Sequence, residues 1–199
     1  MPRDLHVFVV DDDPRVVGSI QLLLRSHGYV SEGFVTAEPL LTRTCDVPAC
    51  VLLDLWLGER NGLEVQDDLR RRGFTQPIIF LSGQGDVPSA ARAMREGALD
   101  FLVKPVDEKE LLDALARATD VAHAQQATHH ARREAAGRLA RLTTREREVC
   151  DLIARGLLNK QIAYELRSSE NTIKVHRARV MRKLQVDSVA ALVRLVSMQ

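Results

Sequence analysis

Five residues with charged or hydroxyl side chains stand at the ends of short apolar runs in the first half of the chain. They are Asp11 and Asp12 after the run 5–10, Asp54 at the end of 49–54, Ser82 at the end of 77–82, and Lys104 at the end of 99–104. Clustered carboxylates repel one another unless a cation lies between them, and carboxylate oxygens suit a hard cation such as Mg²⁺. A carboxylate, a metal ion and an ammonium group are together the parts that phosphoryl transfer requires.

The elements that must bring these residues together alternate along the chain. Short apolar runs, at 5–10, 29–34, 49–54, 77–82 and 99–104, are separated by segments in which apolar residues recur with helical spacing. This alternation is typical of a five-stranded parallel sheet, doubly wound with helices on both faces. The carboxyl ends of parallel strands meet at one edge, where ligands bind in such folds. A single acidic strand end is usually a solvated turn, but five polar residues at strand ends favour a site.

Four motifs in this half resemble those of the receiver domain of two-component response regulators. They are VVDDDP, LLDLWL, FLSGQGD and DFLVKP, in this order and spacing, within residues 5–120. The resemblance implies a flavodoxin-like α/β fold in which Asp54 accepts a phosphoryl group from a sensor histidine kinase. It also implies Mg²⁺ as cofactor, held by Asp11, Asp12, Asp54 and the backbone carbonyl of Trp56. Ser82, Phe101 and Lys104 are the implied phosphoryl-binding and switch residues, and the bond between Lys104 and Pro105 is expected to be cis.

The chain departs from the receiver pattern at two positions near Asp54. Receivers usually have proline four residues after the phosphoacceptor, whereas this chain has Gly58, which we expect to loosen the loop over the metal. The bulky Trp56 stands two residues after Asp54, where we expect it to shield an aspartyl phosphate from hydrolysis.

The distribution of charge separates the chain into two parts. Residues 1–120 carry 13 Lys and Arg against 20 Asp and Glu, whereas residues 121–199 carry 15 against 7. We therefore expect an acidic receiver domain at 1–120 and a basic, DNA-binding domain at 139–199. No apolar run approaches the roughly 18 residues of a membrane span, and no secretory signal is evident, so we expect a cytoplasmic protein without a membrane partner. Cys45, Cys50 and Cys150 match no metal or redox spacing, and we expect reduced thiols.

Residues 107–136 contain neither glycine nor proline and are rich in alanine. The composition predicts a helix capped by Asp107 that continues from the receiver through a helical linker, 121–138. The alternative is a break near 128–130 that leaves a flexible tether.

The basic part of the chain divides into four helices, at about 144–155, 159–166, 170–184 and 187–197. Asn159 and Ser169 are predicted N-caps of the second and third helices, and the third is basic on its outer surface. Two helices joined by a tight turn, with a basic second helix, are typical of an all-α helix-turn-helix domain.

The motifs LTTREREV, NKQIAYEL, NTIKVHRARVMRKL and ALVRL resemble the LuxR-type DNA-binding domain of NarL/FixJ response regulators, over residues 139–196. The resemblance implies that Lys174 and Val175 face base edges. It also implies phosphate contacts from Asn159, Lys160, Thr172, Arg177, Arg179 and Lys183. In relatives the last helix helps to pair two domains, so Val189 and Leu192 are expected in a dimer contact rather than in the core.

Together these observations predict a transcription regulator in which phosphorylation of Asp54 controls homodimerisation and binding to double-stranded DNA. The resemblance favours activation over repression and makes RNA polymerase a candidate partner. We do not expect an enzyme, because a phosphoaspartate phosphatase needs a second acid where Trp56 stands. A regulator that works without phosphorylation usually lacks an acidic-site residue, and this chain has them all.

Overall fold

A computed structural model describes residues 4–43, 47–83 and 87–198 of the chain. The chain divides into two compact units, Met1–Gln126 and Ala127–Gln199, and the boundary falls inside the predicted linker. Each unit is described by itself below.

The first unit is built on a parallel sheet of five strands: β1 His6–Val10, β2 Val30–Phe34, β3 Ala49–Asp54, β6 Ile78–Ser82 and β7 Asp100–Val103. Their order across the sheet is β2-β1-β3-β6-β7. All residues of β3 and β6 are buried, as expected for central strands that are covered on both faces. The predicted five-stranded, doubly wound sheet is confirmed, with each strand within a residue or two of its apolar run.

Helices cover the two faces of this sheet and create two apolar cores. The bounds are α1 Pro14–Ser26, α2 Glu38–Leu41, α3 Gly62–Arg71, α4 Val87–Arg95 and α5 Glu108–Leu139. Leu24 of α1 and Leu111 of α5 pack with Leu52 of β3 on one face, whereas Leu69 of α3 packs with Phe80 of β6 on the other. Because strand side chains alternate between faces, one sheet supplies both cores.

A small antiparallel hairpin, which the sequence did not predict, follows β3 directly. Its strands are β4 Trp56–Leu57 and β5 Arg60–Asn61, and Trp56 pairs with Asn61. The side chain of Asn61 accepts a hydrogen bond from the backbone N–H of Leu63 and so caps α3. The hairpin is therefore joined to buried β3 through the single residue Leu55 and runs directly into α3.

Helix α5 runs from Glu108 to Leu139 without the alternative break near 128–130. The carboxylate of Asp107 accepts hydrogen bonds from the backbone N–H groups of Lys109 and Glu110, as expected of an N-cap. Ala135 and Leu139 are buried in the core of the second unit. Ala135, near the end of the predicted linker, 121–138, therefore packs in that core.

The rest of the second unit consists of four helices, as predicted: α6 Thr144–Ala154, α7 Asn159–Glu165, α8 Glu170–Leu184 and α9 Val189–Val196. The side chain of Ser169 caps α8 as expected, but Asn159 is not an N-cap: it is the first residue of α7, and Leu158 precedes it. Leu192 is fully buried, and Val189 packs against the same core. The expectation that these two residues serve a dimer contact rather than the core is therefore wrong.

Cys50 and Cys150 are buried free thiols, and burial raises the pKa of both, that of Cys150 to about 11. Cys45 lies outside the described residues. Among the helices of the described ranges, none is both long and apolar enough to cross a membrane.

Gly62 provides a test of how closely α3 packs against the end of β3. A Cβ atom at this position would lie 2.4 Å from the backbone oxygen of Asp54, whereas one at Gly18, inside α1, would meet nothing within 4 Å. We expect Gly62→Ala to destabilise the first unit by about 1–3 kcal/mol, because the backbone must shift. Gly18→Ala should instead stabilise it by about 0.5–1 kcal/mol. Urea unfolding followed by Trp56 fluorescence measures both, and equal effects of the two variants would contradict the close packing.

Candidate functional site

The carboxylates of Asp11, Asp12 and Asp54 lie together at the carboxyl edge of the sheet. One oxygen from each lies within 4.8 Å of the others. The exposed fractions of Asp11 and Asp54 are 0% and 6%, whereas Asp12 is exposed. The ends of β1 and β3 therefore bring the predicted acidic residues into one cluster, which we call the acidic pocket.

Lys104, which follows β7, places its ammonium group between two of these carboxylates. Its Nζ lies 2.5 Å from Oδ2 of Asp11 and 3.0 Å from Oδ1 of Asp54. The backbone N–H of Lys104 donates to the carbonyl of Ser82, and the bond to Pro105 is cis, as expected. The predicted cation thus contacts both buried acids.

Burial raises the pKa of the Asp54 carboxyl, although its hydrogen bond with the Lys104 ammonium acts in the opposite direction. For Lys104, burial alone would lower the pKa, but the hydrogen bonds to Asp11 and Asp54 outweigh it and raise the pKa. The ammonium therefore stays charged, and it is the group that allows two buried carboxylates to lie side by side.

The acidic pocket fits a hard divalent cation. Three carboxylates face one ammonium group, so two negative charges remain uncompensated when all are ionised. Oxygen ligands and this charge suit Mg²⁺, and the exposure of Asp12 opens the cluster to solvent. Trp56, whose carbonyl is the predicted fourth ligand, lies in β4 with 52% of its surface exposed.

Two further predicted residues lie on neighbouring strands. Ser82 is buried at the end of β6, and its hydroxyl donates to the carbonyl of Gly83, 3.0 Å away. Phe101, in β7, is partly buried, with its ring centroid 6.4 Å from that of Phe80.

Gly58 contacts the acidic pocket through its backbone, which its residue type alone does not predict. It turns the hairpin between β4 and β5 with a φ of +62°, and its backbone N–H donates to Oδ2 of Asp12, 3.1 Å away. The loop is therefore tied to the pocket by the glycine's own backbone, and the expectation that this glycine loosens the loop stays a prediction. No side-chain pattern could have revealed a contact made by a backbone N–H.

In the second unit, α7 and α8 form the predicted helix-turn-helix. Lys174 and Val175 are exposed on α8, although the Lys174 ammonium lies 3.6 Å from the carboxylate of Glu170 one turn earlier. Lys160 and Arg179 are also exposed. These four residues therefore lie on the surface, as a DNA contact requires.

Three of the residues that are predicted to contact DNA phosphates, Asn159, Thr172 and Arg177, form side-chain hydrogen bonds within the second unit. A guanidinium N–H of Arg177 donates to Oδ1 of Asn159, which links α8 to α7. The hydroxyl of Thr172 lies 2.8 Å from that of Ser169 in the cap of α8. These side chains are positioned by their neighbours before any ligand is bound.

Lys183 contacts a buried acid that the sequence analysis missed. Its ammonium lies 2.6 Å from Oε2 of Glu146 and also donates to the carbonyl of Arg141. Glu146, only 4% exposed, accepts the backbone N–H of Thr143 in a capping box. The threonine and glutamate three residues apart were the available sequence signal for this box, but not for its contact with Lys183.

Comparisons with known proteins agree with this arrangement. The family model described as "Response regulator receiver domain" matches residues 7–116, and that described as "Bacterial regulatory proteins, luxR family" matches residues 140–196. The chain belongs to the response-regulator family. It is 40% identical over 189 residues to the response regulator protein TodT of Pseudomonas putida, with 94% of this chain and 83% of TodT covered.

Two solved structures resemble the whole response regulator. The structure of the response regulator StyR is 38% identical and superposes with a TM-score of 0.78, over 99% of this chain and 100% of StyR. Full-length FixJ from B. japonicum is 33% identical, with a TM-score of 0.56 over 100% and 98% of the two chains. This response regulator therefore combines a receiver domain with a LuxR-type DNA-binding domain, and its family consists of transcription regulators rather than catalytic enzymes.

The contact of Glu146 with Lys183 predicts acid sensitivity of the DNA-binding unit. The Lys183 ammonium and the Thr143 backbone N–H lower the pKa of Glu146 from 4.5 to about 2. Because the folded-state pKa is depressed, the stabilisation is present above about pH 4.5 and is lost as the pH falls towards 2. We expect a loss on the order of 1–2 kcal/mol.

The measurement is hydrogen exchange of α6 and α8 peptides in the full-length response regulator between pH 6 and 3, corrected for intrinsic rates. Glu146→Gln, which keeps the capping geometry without the titrating charge, should be less stable at pH 6 and less dependent on pH. If the variant and the natural chain lose protection in parallel, the contact does not control the acid response.

Proposed function

We propose that this response regulator accepts a phosphoryl group on Asp54 from a sensor histidine kinase and, once phosphorylated, pairs with a second copy and activates transcription at specific DNA sites. The observation that carries the proposal is the Lys104 ammonium in contact with both Asp11 and Asp54, beside a third carboxylate. Three neighbouring carboxylates repel one another, and a receiver without a phosphorylation switch would have no functional reason to retain this energetic cost.

In the proposed transfer, a carboxylate oxygen of Asp54 attacks the phosphorus atom of a phosphohistidine. The new O–P bond forms as the N–P bond breaks, and the imidazole nitrogen keeps the bonding pair and takes up a proton. Mg²⁺, held by Asp11, Asp12 and Asp54, with the carbonyl of Trp56 as a candidate fourth ligand, would supply charge neutralisation for the phosphoryl oxygens. Lys104, whose ammonium lies 3.0 Å from Oδ1 of Asp54, provides a second positive charge.

The switch follows from the contacts that the phosphoryl group would offer. The Ser82 hydroxyl, which donates to the adjacent carbonyl of Gly83, gains a stronger acceptor in the phosphoryl oxygens. Phe101 is only partly buried and can turn inward as Ser82 moves. Phe101 lies in β7 and Ser82 pairs with Val103 of the same strand, which also contacts α4, so the face formed by α4 and β7 is the proposed dimer contact. Val87, Met94 and Val103 are exposed apolar residues there.

In the DNA complex, Lys174 and Val175 would read base edges in the major groove. Lys160, Thr172, Arg179, Asn159 and Arg177 would contact phosphates and fix the position of α8. Lys183 has its ammonium engaged by Glu146, so we assign it a smaller share of phosphate binding than the other cations. Activation would follow from recruiting RNA polymerase to the occupied site.

The switch is tested by sedimentation velocity of the full-length response regulator with Mg²⁺, with and without beryllofluoride as a phosphoryl mimic. We expect a monomer that becomes a dimer when beryllofluoride is added, because the mimic supplies the same contacts to Lys104 and Ser82. Asp54→Asn should abolish the change. Asp13→Asn is the matched control, since Asp13 caps α1 and asparagine can also serve as an N-cap. A natural chain that stays unchanged with beryllofluoride would contradict the proposed switch.

The DNA assignment is tested with a binding sequence selected from random DNA. Lys174→Ala should reduce the preference for that sequence over random DNA by roughly 5- to 100-fold, because a base contact is lost. Lys160→Ala should weaken binding to both DNAs by a similar factor, because phosphates are common to all sequences. Fluorescence anisotropy titrations give the four affinities, and the reverse order of effects would refute the assignment.

A further inference from the structure

We infer that the backbone of Gly58 is a positioning element for Asp12, so that the hairpin of β4 and β5 and the acidic pocket form a single metal-binding unit. The inference rests on the proposed Mg²⁺ site and names a part of it that the receiver pattern does not contain. It also predicts that proline at position 58, the residue usual in receivers, lowers the affinity of this chain for Mg²⁺.

The first reason is the situation of Asp12. Asp11 is held by the Lys104 ammonium and by the backbone N–H of Asp13, and it is fully buried. Asp12 is exposed, and within the described residues the N–H of Gly58 is the one hydrogen-bond donor to its carboxylate. Without that contact the side chain would sample several rotamers, and binding a metal would have to restrict it.

The second reason is the backbone conformation of Gly58. A φ of +62° lies in the left-handed region, which glycine adopts freely, asparagine tolerates and other residues adopt at a cost. Proline, fixed near −65°, cannot adopt it and has no N–H to donate. A Cβ at this position would meet nothing within 4 Å, so the constraint concerns the backbone and not space for a side chain.

The third reason is that the donor itself is held in place. The hairpin that contains Gly58 is closed by the pairing of Leu57 with Arg60. It ends at Asn61, the cap of α3, and the next residue, Gly62, donates its backbone N–H to the carbonyl of Leu55. The N–H that Asp12 meets is therefore fixed by both flanking elements, which makes it a preorganised support for a metal ligand.

The test is Mg²⁺ affinity of the full-length chain, measured by Trp56 fluorescence and independently by calorimetry, for the natural chain and three variants. Gly58→Pro removes both the N–H and the positive φ, and we expect affinity roughly 10- to 100-fold lower, as for other supports of metal ligands. Gly58→Asn keeps both features and should stay within about twofold of the natural chain, because asparagine tolerates this conformation. Gly58→Ala keeps the N–H but disfavours the φ, so it should fall between them.

A double-mutant cycle distinguishes action through Asp12 from a general effect on the hairpin. In an Asp12→Ala background, Gly58→Pro should cause little further loss of Mg²⁺ affinity. In the metal-free chain, the amide proton of Gly58 should shift on Asp12→Ala in the NMR spectrum, which reports the hydrogen bond without any metal. Circular dichroism shows whether Gly58→Pro is folded, and the Ala and Asn pair carries the test if it is not.

The outcomes separate this inference from the proposed function. If the natural chain binds Mg²⁺ and the Gly58→Ala and Gly58→Pro variants bind it equally well, the role of Gly58 is overturned but the proposed metal site is not. A loss on Gly58→Pro that persists undiminished in the Asp12→Ala background would do the same. A natural chain that does not bind Mg²⁺ would overturn both the role and the proposed site. The inference is supported if Mg²⁺ affinity falls progressively from Gly58→Asn through Gly58→Ala to Gly58→Pro, and if this progression disappears in the Asp12→Ala background.

Discussion

The contact of one ammonium group with two buried carboxylates is the interaction on which the receiver depends. Two negative charges at the ends of adjacent strands would repel one another, and β1 and β3 are paired residue by residue up to Val10 and Leu53. Lys104, the residue directly after β7, reduces that repulsion with a positive charge that is covalently attached to the chain. The sheet order places β7 two strands from β3, so only a long side chain reaches both acids.

The carboxyl edge of the sheet thus serves folding and function through the same atoms. Lys104 stabilises the arrangement in the absence of a ligand, and the same ammonium would be available to the phosphoryl group that we propose for Asp54. Its contacts with Asp11 and Asp54 are noncovalent, so a phosphoryl group on Asp54 would compete with these carboxylates for the same ammonium. That is the physical property a switch requires, since a small change in one group must redistribute the contacts of several.

Most of the receiver fold and its polar site could be predicted from the sequence, because both depend on residue types at regular spacings. Apolar runs of five or six residues located the strands, and the rule for parallel sheets then placed Asp54, Ser82 and Lys104 at one edge. The support from Gly58 could not be predicted in this way, because its donor is a backbone N–H present in almost every residue. The contact of Glu146 with Lys183 joins residues 37 positions apart, and an exposed cation on a basic helix looks the same in sequence whether it is paired or not. The burial of Ala135 could not be predicted for a related reason, since alanine is small enough to suit either a solvated helix or a core.

The two units differ in how a negative charge is neutralised, by a lysine of the same chain in the receiver and by exposed cations that meet DNA in the second unit. They should therefore respond differently to ionic strength. In the receiver, the cation that neutralises Asp11 and Asp54 is covalently attached and partly buried, so dissolved salt screens the contact only weakly. On α8 the side chains of Lys174, Arg179 and Arg182 are exposed and would meet a polyanion by releasing its counterions, a process that is steeply weakened by salt. A rise in salt concentration would therefore lower the occupancy of DNA while leaving the charge balance of the acidic pocket nearly unchanged, so the proposed phosphorylation would produce a different output in dilute and in concentrated surroundings.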